Sequence, residues 1–78
     1  MPDLYVLESC PYCRKVMAFL NENAIKYNEF DISEPENYDN LLKLGGKSQV
    51  PFLDDEENHI KMYESDEIID YFRNSMKE

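Results

Sequence analysis

The feature that most constrains the fold is a change of pattern near the start of the sequence. Leu4, Tyr5, Val6 and Leu7 form a short continuous apolar run. A strand covered on both faces shows that pattern, so residues 3–7 are predicted as a strand. Glu8 and Ser9 end it. Pro11 suits the first position of a helix, where its fixed φ helps and its missing N–H is not needed. Cys10 is then the N-cap of a helix that runs to about Asn23. Residues 26–32 place Tyr27, Phe30 and Ile32 among polar partners and read as a second strand after this crossover helix. The three segments make a βαβ unit.

Ser33 and Glu36 have capping-box spacing, with Tyr38, Leu41 and Leu42 behind them, and Gly45 and Gly46 stop the second helix. Residues 50–53 read as a short strand broken at Pro51, and residues 60–63 answer it as an antiparallel hairpin. The acidic run 54–57 between them, flanked by Asn58, is expected to be a solvated turn. Ser65 is expected to cap a last helix, with Asp66 and Glu67 suited to its positive end and Ile69, Phe72 and Met76 marking its buried stripe. The order βαβ, α, ββ, α predicts an α/β fold: a four-stranded mixed sheet with helices on both faces, the arrangement of a minimal thioredoxin-like fold. Residues 1–78 are expected to form one such domain.

A chain of 78 residues buries only about 60% of its unfolded surface, so its core is small. Four Phe, six Tyr and the aliphatic residues fill one two-layer sandwich and no second hydrophobic centre. The formal charge of −9, from 17 acidic against 8 basic residues, argues against a nucleic-acid partner, which needs clustered Lys and Arg. The same field disfavours anionic membranes, and its plainest effect is solubility. The opening MPDLYVLESC has no basic region followed by an apolar one, and no stretch approaches the roughly 18 apolar residues of a membrane span. A cytoplasmic protein is therefore expected. In that reducing compartment a structural disulfide is disfavoured, and Cys10 and Cys13 would close the smallest sort of loop.

On a helical wheel Cys13 falls in line with Val16, Met17 and Leu20, the set that faces a core. Cys13 is thus expected to be buried. Cys10, at the cap, lies where free backbone N–H groups and the positive end of the helix dipole favour a thiolate, and is expected to be exposed and ionised. Thiol–disulfide exchange needs this asymmetry, with one sulfur reachable and the other held back to release the product. Arg14 and Lys15 add positive charge one turn away, and Glu8 partly opposes them. A zinc site lacks partners, since there is no third Cys and His59 is alone on the far hairpin. No metal is expected within one chain. An iron–sulfur cluster held between two chains by Cys10 of each stays open beside the exchange reading.

CPYC at residues 10–13 resembles the dithiol motif of glutaredoxins, and the whole chain follows their segment order. The later stretches GGKSQVPFL, residues 45–53, and YESDEIIDYF, residues 63–72, resemble the glutaredoxin-like N-terminal domain of glutathione transferases. The resemblance implies a glutathione-dependent thiol–disulfide oxidoreductase whose catalytic residues are Cys10 and Cys13. It further implies that Val50 precedes a cis Pro51 and pairs by its backbone with the cysteinyl part of glutathione, and that Glu64 and Ser65 hold the γ-glutamyl end. Asp66 would share that role, and Tyr12 would line the groove. A carboxylate ligand on free helical N–H groups agrees with the physics.

The sequence also departs from the family pattern. Leu7 stands where typical glutaredoxins carry a lysine that meets the glycyl carboxylate, and Lys47 is the best substitute. Tyr63 and Glu64 replace the Gly-Gly of ordinary glutaredoxins, so transferase-like binding is the better template. The expected partners are glutathione and disulfide-containing proteins, with the chain a monomer. Reduction by a flavoprotein reductase is the alternative within the same class.

Overall fold

Strand periodicity sorts the core into two layers. A computed structural model describes residues 1–76; the last two residues of the expected 1–78 domain lie outside the described residues. In chain order the elements are β1 (Asp3–Val6), α1 (Pro11–Glu22), β2 (Asn28–Asp31), α2 (Pro35–Gly45), β3 (Phe52–Asp55), a short 3-10 turn (Glu56–Asn58), β4 (Ile60–Tyr63) and α3 (Ser65–Ser75). The sheet order is β2-β1-β3-β4, with β1 parallel to β2 and β3 antiparallel to both of its neighbours.

Successive residues of β1 point to opposite faces. Leu4 and Val6, with Leu53 of β3, meet Cys13, Val16 and Leu20 of α1 and Ile68, Ile69 and Phe72 of α3. Tyr5 and Phe52 face the other way and meet Leu41 of α2. There the aromatic rings pack in series, Tyr5 on Phe30 at 5.1 Å and Phe52 on Tyr63 at 4.7 Å between centroids. The α/β thioredoxin-like arrangement read from the sequence is the one observed, α1 and α3 covering one face and α2 the other.

Local boundaries differ from expectation for identifiable reasons. α2 starts at Pro35 with Glu34 as N-cap, because proline's fixed φ and missing N–H suit the first helical position. The Ser33 amide instead donates to the Asp31 carboxylate at 2.9 Å, an Asx turn that displaces the expected capping box. α3, by contrast, starts one residue early: Glu64 is its N-cap, and Ser65, expected as the cap, is its first helical residue and is buried. Met76 lies beyond the last turn and is exposed, so Ile68, Ile69 and Phe72 make the stripe.

The acidic turn shows the largest departure. β3 begins only at Phe52, after the bend at Val50 and Pro51, and continues through Asp55 because β4 pairs Lys61 with Asp54 and Ile60 with Asp55. Asp54 and Asp55 are therefore buried, at 2% and 6% exposure, and only Glu56 and Glu57 are solvated. Asp55 accepts hydrogen bonds from the Tyr71 hydroxyl at 2.6 Å and the Asn58 amide at 2.8 Å, while the Lys61 ammonium lies 3.7 Å from Asp54.

Candidate active site

The first turn of α1 forms the centre of the site. Cys10, in extended geometry before the helix, is its N-cap, and its Sγ accepts the Cys13 backbone N–H at 3.4 Å. Pro11 follows in the first turn, where its missing N–H leaves no donor unsatisfied. The Cys10 amide donates back to the Leu7 carbonyl at 2.9 Å, fixing the turn between β1 and α1. Cys10 is half-buried rather than fully exposed, because it lies against the margin of the core beneath α1 and α3, as Val50 does.

Cys13 is fully buried among that core, as the wheel predicted. Burial pushes its thiol up to about 12; a backbone hydrogen bond with Leu7 opposes the rise and neighbouring Cys10 adds to it. At neutral pH this sulfur holds its proton. Both cysteines are free thiols.

Beside the dithiol lies a groove of about 410 Å³ lined by Tyr12, Gln49, Val50, Pro51, Glu64, Ser65 and Asp66. Its volume falls in the range that takes small ligands. Tyr12 stands exposed on one wall. The Val50–Pro51 peptide is cis, as the family resemblance implied, and Pro51 is buried. On the opposite side the chain turns from β4 into α3 at Glu64, whose φ of 73° lies where glycine is favoured. Of the residues whose N–H groups the first turn of α3 leaves free, Ser65 and Asp66 line the groove.

Two polar contacts tie this rim together. The Gln49 amide donates to the Glu64 carboxylate at 3.1 Å. The Lys15 ammonium meets the Asp66 carboxylate at 2.6 Å, and that bond and charge hold the Asp66 carboxyl below its ordinary range. Both pairs are exposed, so each exchanges readily for a ligand or for water.

The structure thus gathers Tyr12, Val50, Pro51, Glu64, Ser65 and Asp66 beside the two cysteines. It does not bring in Lys47, whose ammonium sits 5.5 Å above the ring of Tyr63. Gln49 was missed. Its signal was its place immediately before Val50, on the loop that enters the groove.

The model of the glutathione S-transferase N-terminal domain family matches residues 4–78. The chain therefore belongs to that family, a glutaredoxin-like one. It is 41% identical to glutaredoxin 1 of Rickettsia felis over a 56-residue alignment, the match covering 65% of this chain and 55% of that protein. The chain thus spans little more than half the length of the curated relatives it matches first. Among solved structures it is similar to a glutathione S-transferase from the Antarctic clam Laternula elliptica, with a TM-score of 0.79 and 30% identity, covering 95% of this chain and 34% of that one. It also shares its fold with glutaredoxin 2 of Salmonella typhimurium, solved in complex with glutathione, with a TM-score of 0.80, 22% identity, and coverage of 95% and 33%.

Proposed function

We propose that this chain is a glutathione-dependent thiol–disulfide oxidoreductase of glutaredoxin type, acting as a monomer in the cytosol, where small thiols stay reduced. The observation that carries the reading is the inequality of the two sulfurs. Cys10, half-buried at the helix cap, accepts a helical N–H two residues from the groove-lining Tyr12, and Cys13 is sealed in the core with its thiol raised to about 12.

In the reaction the Cys10 thiolate attacks the glutathione sulfur of a mixed disulfide. The S–S bond breaks, the protein thiolate leaves and takes a proton, and a Cys10–glutathione disulfide remains. A second glutathione thiolate attacks that adduct, releasing oxidised glutathione and restoring Cys10. Two electrons pass from glutathione to the substrate. With a protein disulfide as substrate, Cys13 gives up its proton and resolves the adduct, and the Cys10–Cys13 disulfide is then reduced by glutathione. The Val50 backbone meets the cysteinyl portion, while Glu64, Ser65 and the free amides of α3 take the γ-glutamyl end. Membership of a glutathione S-transferase family and the groove beside Cys10 support this assignment.

The test is mass spectrometry and turnover of two variants. Cys13→Ser should retain deglutathionylation and accumulate a glutathione adduct on Cys10, whereas Cys10→Ser should lose both. An active Cys10→Ser protein, or an adduct on Cys13 in the wild type, would overturn the assignment.

A second reading has its own observation. Among the described residues no lysine or arginine lines the groove, since Leu7 replaces the usual lysine and Lys47 is turned onto Tyr63. Under that reading a flavoprotein reductase supplies the electrons. Turnover with such a reductase and NADPH, with glutathione unable to reduce the oxidised dithiol, would select it.

A further inference from the structure

The cis peptide at the groove depends on a loop with little secondary structure of its own. Between the end of α2 at Gly45 and the start of β3 at Phe52, residues 46–48 are exposed. This loop must deliver Gln49 and Val50 to the groove with their polar groups correctly aimed.

Two hydroxyls fasten it: the Tyr38 hydroxyl donates to Ser48 at 3.0 Å, and the Tyr63 hydroxyl holds Lys47. The Tyr63 Oη accepts the Lys47 backbone N–H at 3.2 Å and donates to the Lys47 carbonyl at 3.1 Å, so it uses both backbone groups of one residue. Its ring is itself fixed, packed on Phe52 at 4.7 Å as the last residue of β4. The Lys47 ammonium lies over the outer side of that ring. Gly45 completes the seat, since a Cβ there would collide with the Tyr63 hydroxyl. Glu64, the next residue, accepts from Gln49, so adjacent residues at the end of β4 hold Lys47 and Gln49 of one loop.

We propose that Tyr63 is a positioning residue for glutathione binding: its hydroxyl, bonded to both backbone groups of Lys47, pre-sets the loop that presents Gln49 and Val50 to the groove. The proposal rests on the glutathione-dependent reading of the site. Tyr63 is not among the residues that line the groove, and acts by removing loop freedom that binding would otherwise have to freeze. Its loss therefore weakens capture of the glutathionyl group and leaves the chemistry at Cys10 intact.

Tyr63→Phe keeps the ring on Phe52 and removes only the hydroxyl. With the glutathione mixed disulfide of a small thiol as substrate, KM should rise about fivefold, the worth of one or two hydrogen bonds, while kcat stays within about twofold. The alkylation rate of Cys10 should be unchanged, and the Lys47 amide should exchange its hydrogen at least about tenfold faster. Gly45→Ala leaves the hydroxyl but denies it its seat, and should raise the same KM. A role confined to stability would lower the unfolding midpoint without moving KM. If wild type turns over and Tyr63→Phe keeps its KM, the positioning role is refuted alone; if wild type shows no turnover of the glutathionyl substrate, the functional reading fails and this inference with it.

Discussion

Acidic residues near the two ends of β3 stand in opposite circumstances, Glu64 and Asp66 at the junction of β4 and α3 beside its start, Asp55 at its far end. At its start, beside the dithiol, Glu64 and Asp66 stand in water, each held by one side chain, Gln49 or Lys15. At its far end Asp55 is buried, and takes two hydrogen bonds from Tyr71 and Asn58. A carboxylate that exchanges partners cheaply can meet a ligand; one that is enclosed and bonded to two side-chain donors holds the fold. In this small domain the stabilising polar network and the binding rim are thus kept at opposite ends of one strand.

Breaking the enclosed end has the largest expected effect. Asp55→Ala leaves the Tyr71 hydroxyl and the Asn58 amide without their acceptor in a half-buried place, and should cost about 2–3 kcal/mol. A domain of this size has only roughly 5–10 kcal/mol in total, so the urea midpoint should fall by a large fraction. The rate of Cys10 alkylation in the still-folded fraction should not change. If stability is unaffected, the contrast between the two ends is wrong.

The same network sets a pH window for stability. Burial alone would raise the Asp55 carboxyl, but the Tyr71 and Asn58 hydrogen bonds outweigh it and hold the group below its ordinary value. A depressed carboxyl contributes fully above the unfolded value of about 3.9 and loses that contribution as the pH falls through the folded one. Tyr71 is the mirror case: burial, then the bond and charge of Asp55, raise its hydroxyl to about 12. Its contribution is complete below the unfolded value of about 10 and disappears as the pH rises through 12. Urea midpoints should therefore drop at both extremes, and Tyr71→Phe should flatten the alkaline arm. An alkaline arm unchanged in that variant would remove Tyr71 from the account.

The elements that periodicity governs were legible in the sequence. The wheel placed Cys13 with Val16, Met17 and Leu20, and all but the half-buried Met17 are fully buried; Gly46 ends α2 in the left-handed conformation that its residue type suggested. What was not legible depended on partners remote in the chain. Nothing local in Asp54 and Asp55 foretells that β4 extends the ladder past them, or that Tyr71, sixteen residues on, supplies a donor. Lys47 looked like a binding residue by its nearness to Val50, yet the ring of Tyr63, set by β4, draws it away. Cys10 looked fully exposed from its cap position, yet its side chain packs against the margin of the core and is half-buried.

A smaller effect of opposite sign tests the open end. Glu64 holds a φ of 73° and a ψ of 118°, a conformation that costs a residue with a Cβ roughly 1–3 kcal/mol and glycine little. Glu64→Gly should therefore stabilise the fold by about 1 kcal/mol, once glycine's greater unfolded-state freedom is set against the relief. The same change removes the acceptor of Gln49 and a carboxylate from the groove, so KM for the glutathionyl substrate should rise. Stability and binding moving in opposite directions would show that the backbone at this rim is bent for the ligand's sake; a destabilised variant would mean that Glu64, like Asp55, serves the fold.

The smallest effect is expected at the bridge between the two helix N-termini. Lys15 and Asp66 are both exposed, and an ion pair in water gains little over its separately hydrated partners. Lys15→Met should leave the unfolding midpoint within error at physiological salt. It also frees Asp66, whose carboxyl is held low chiefly by the hydrogen bond from Lys15 and then by its charge, so that carboxyl should titrate closer to its ordinary value. Because Asp66 is then available to a ligand's ammonium without first leaving Lys15, KM for the glutathionyl substrate should fall slightly. A rise in KM instead would assign Lys15 itself to the ligand, and the rim's charges would have to be counted as binding groups and not as exchangeable placeholders.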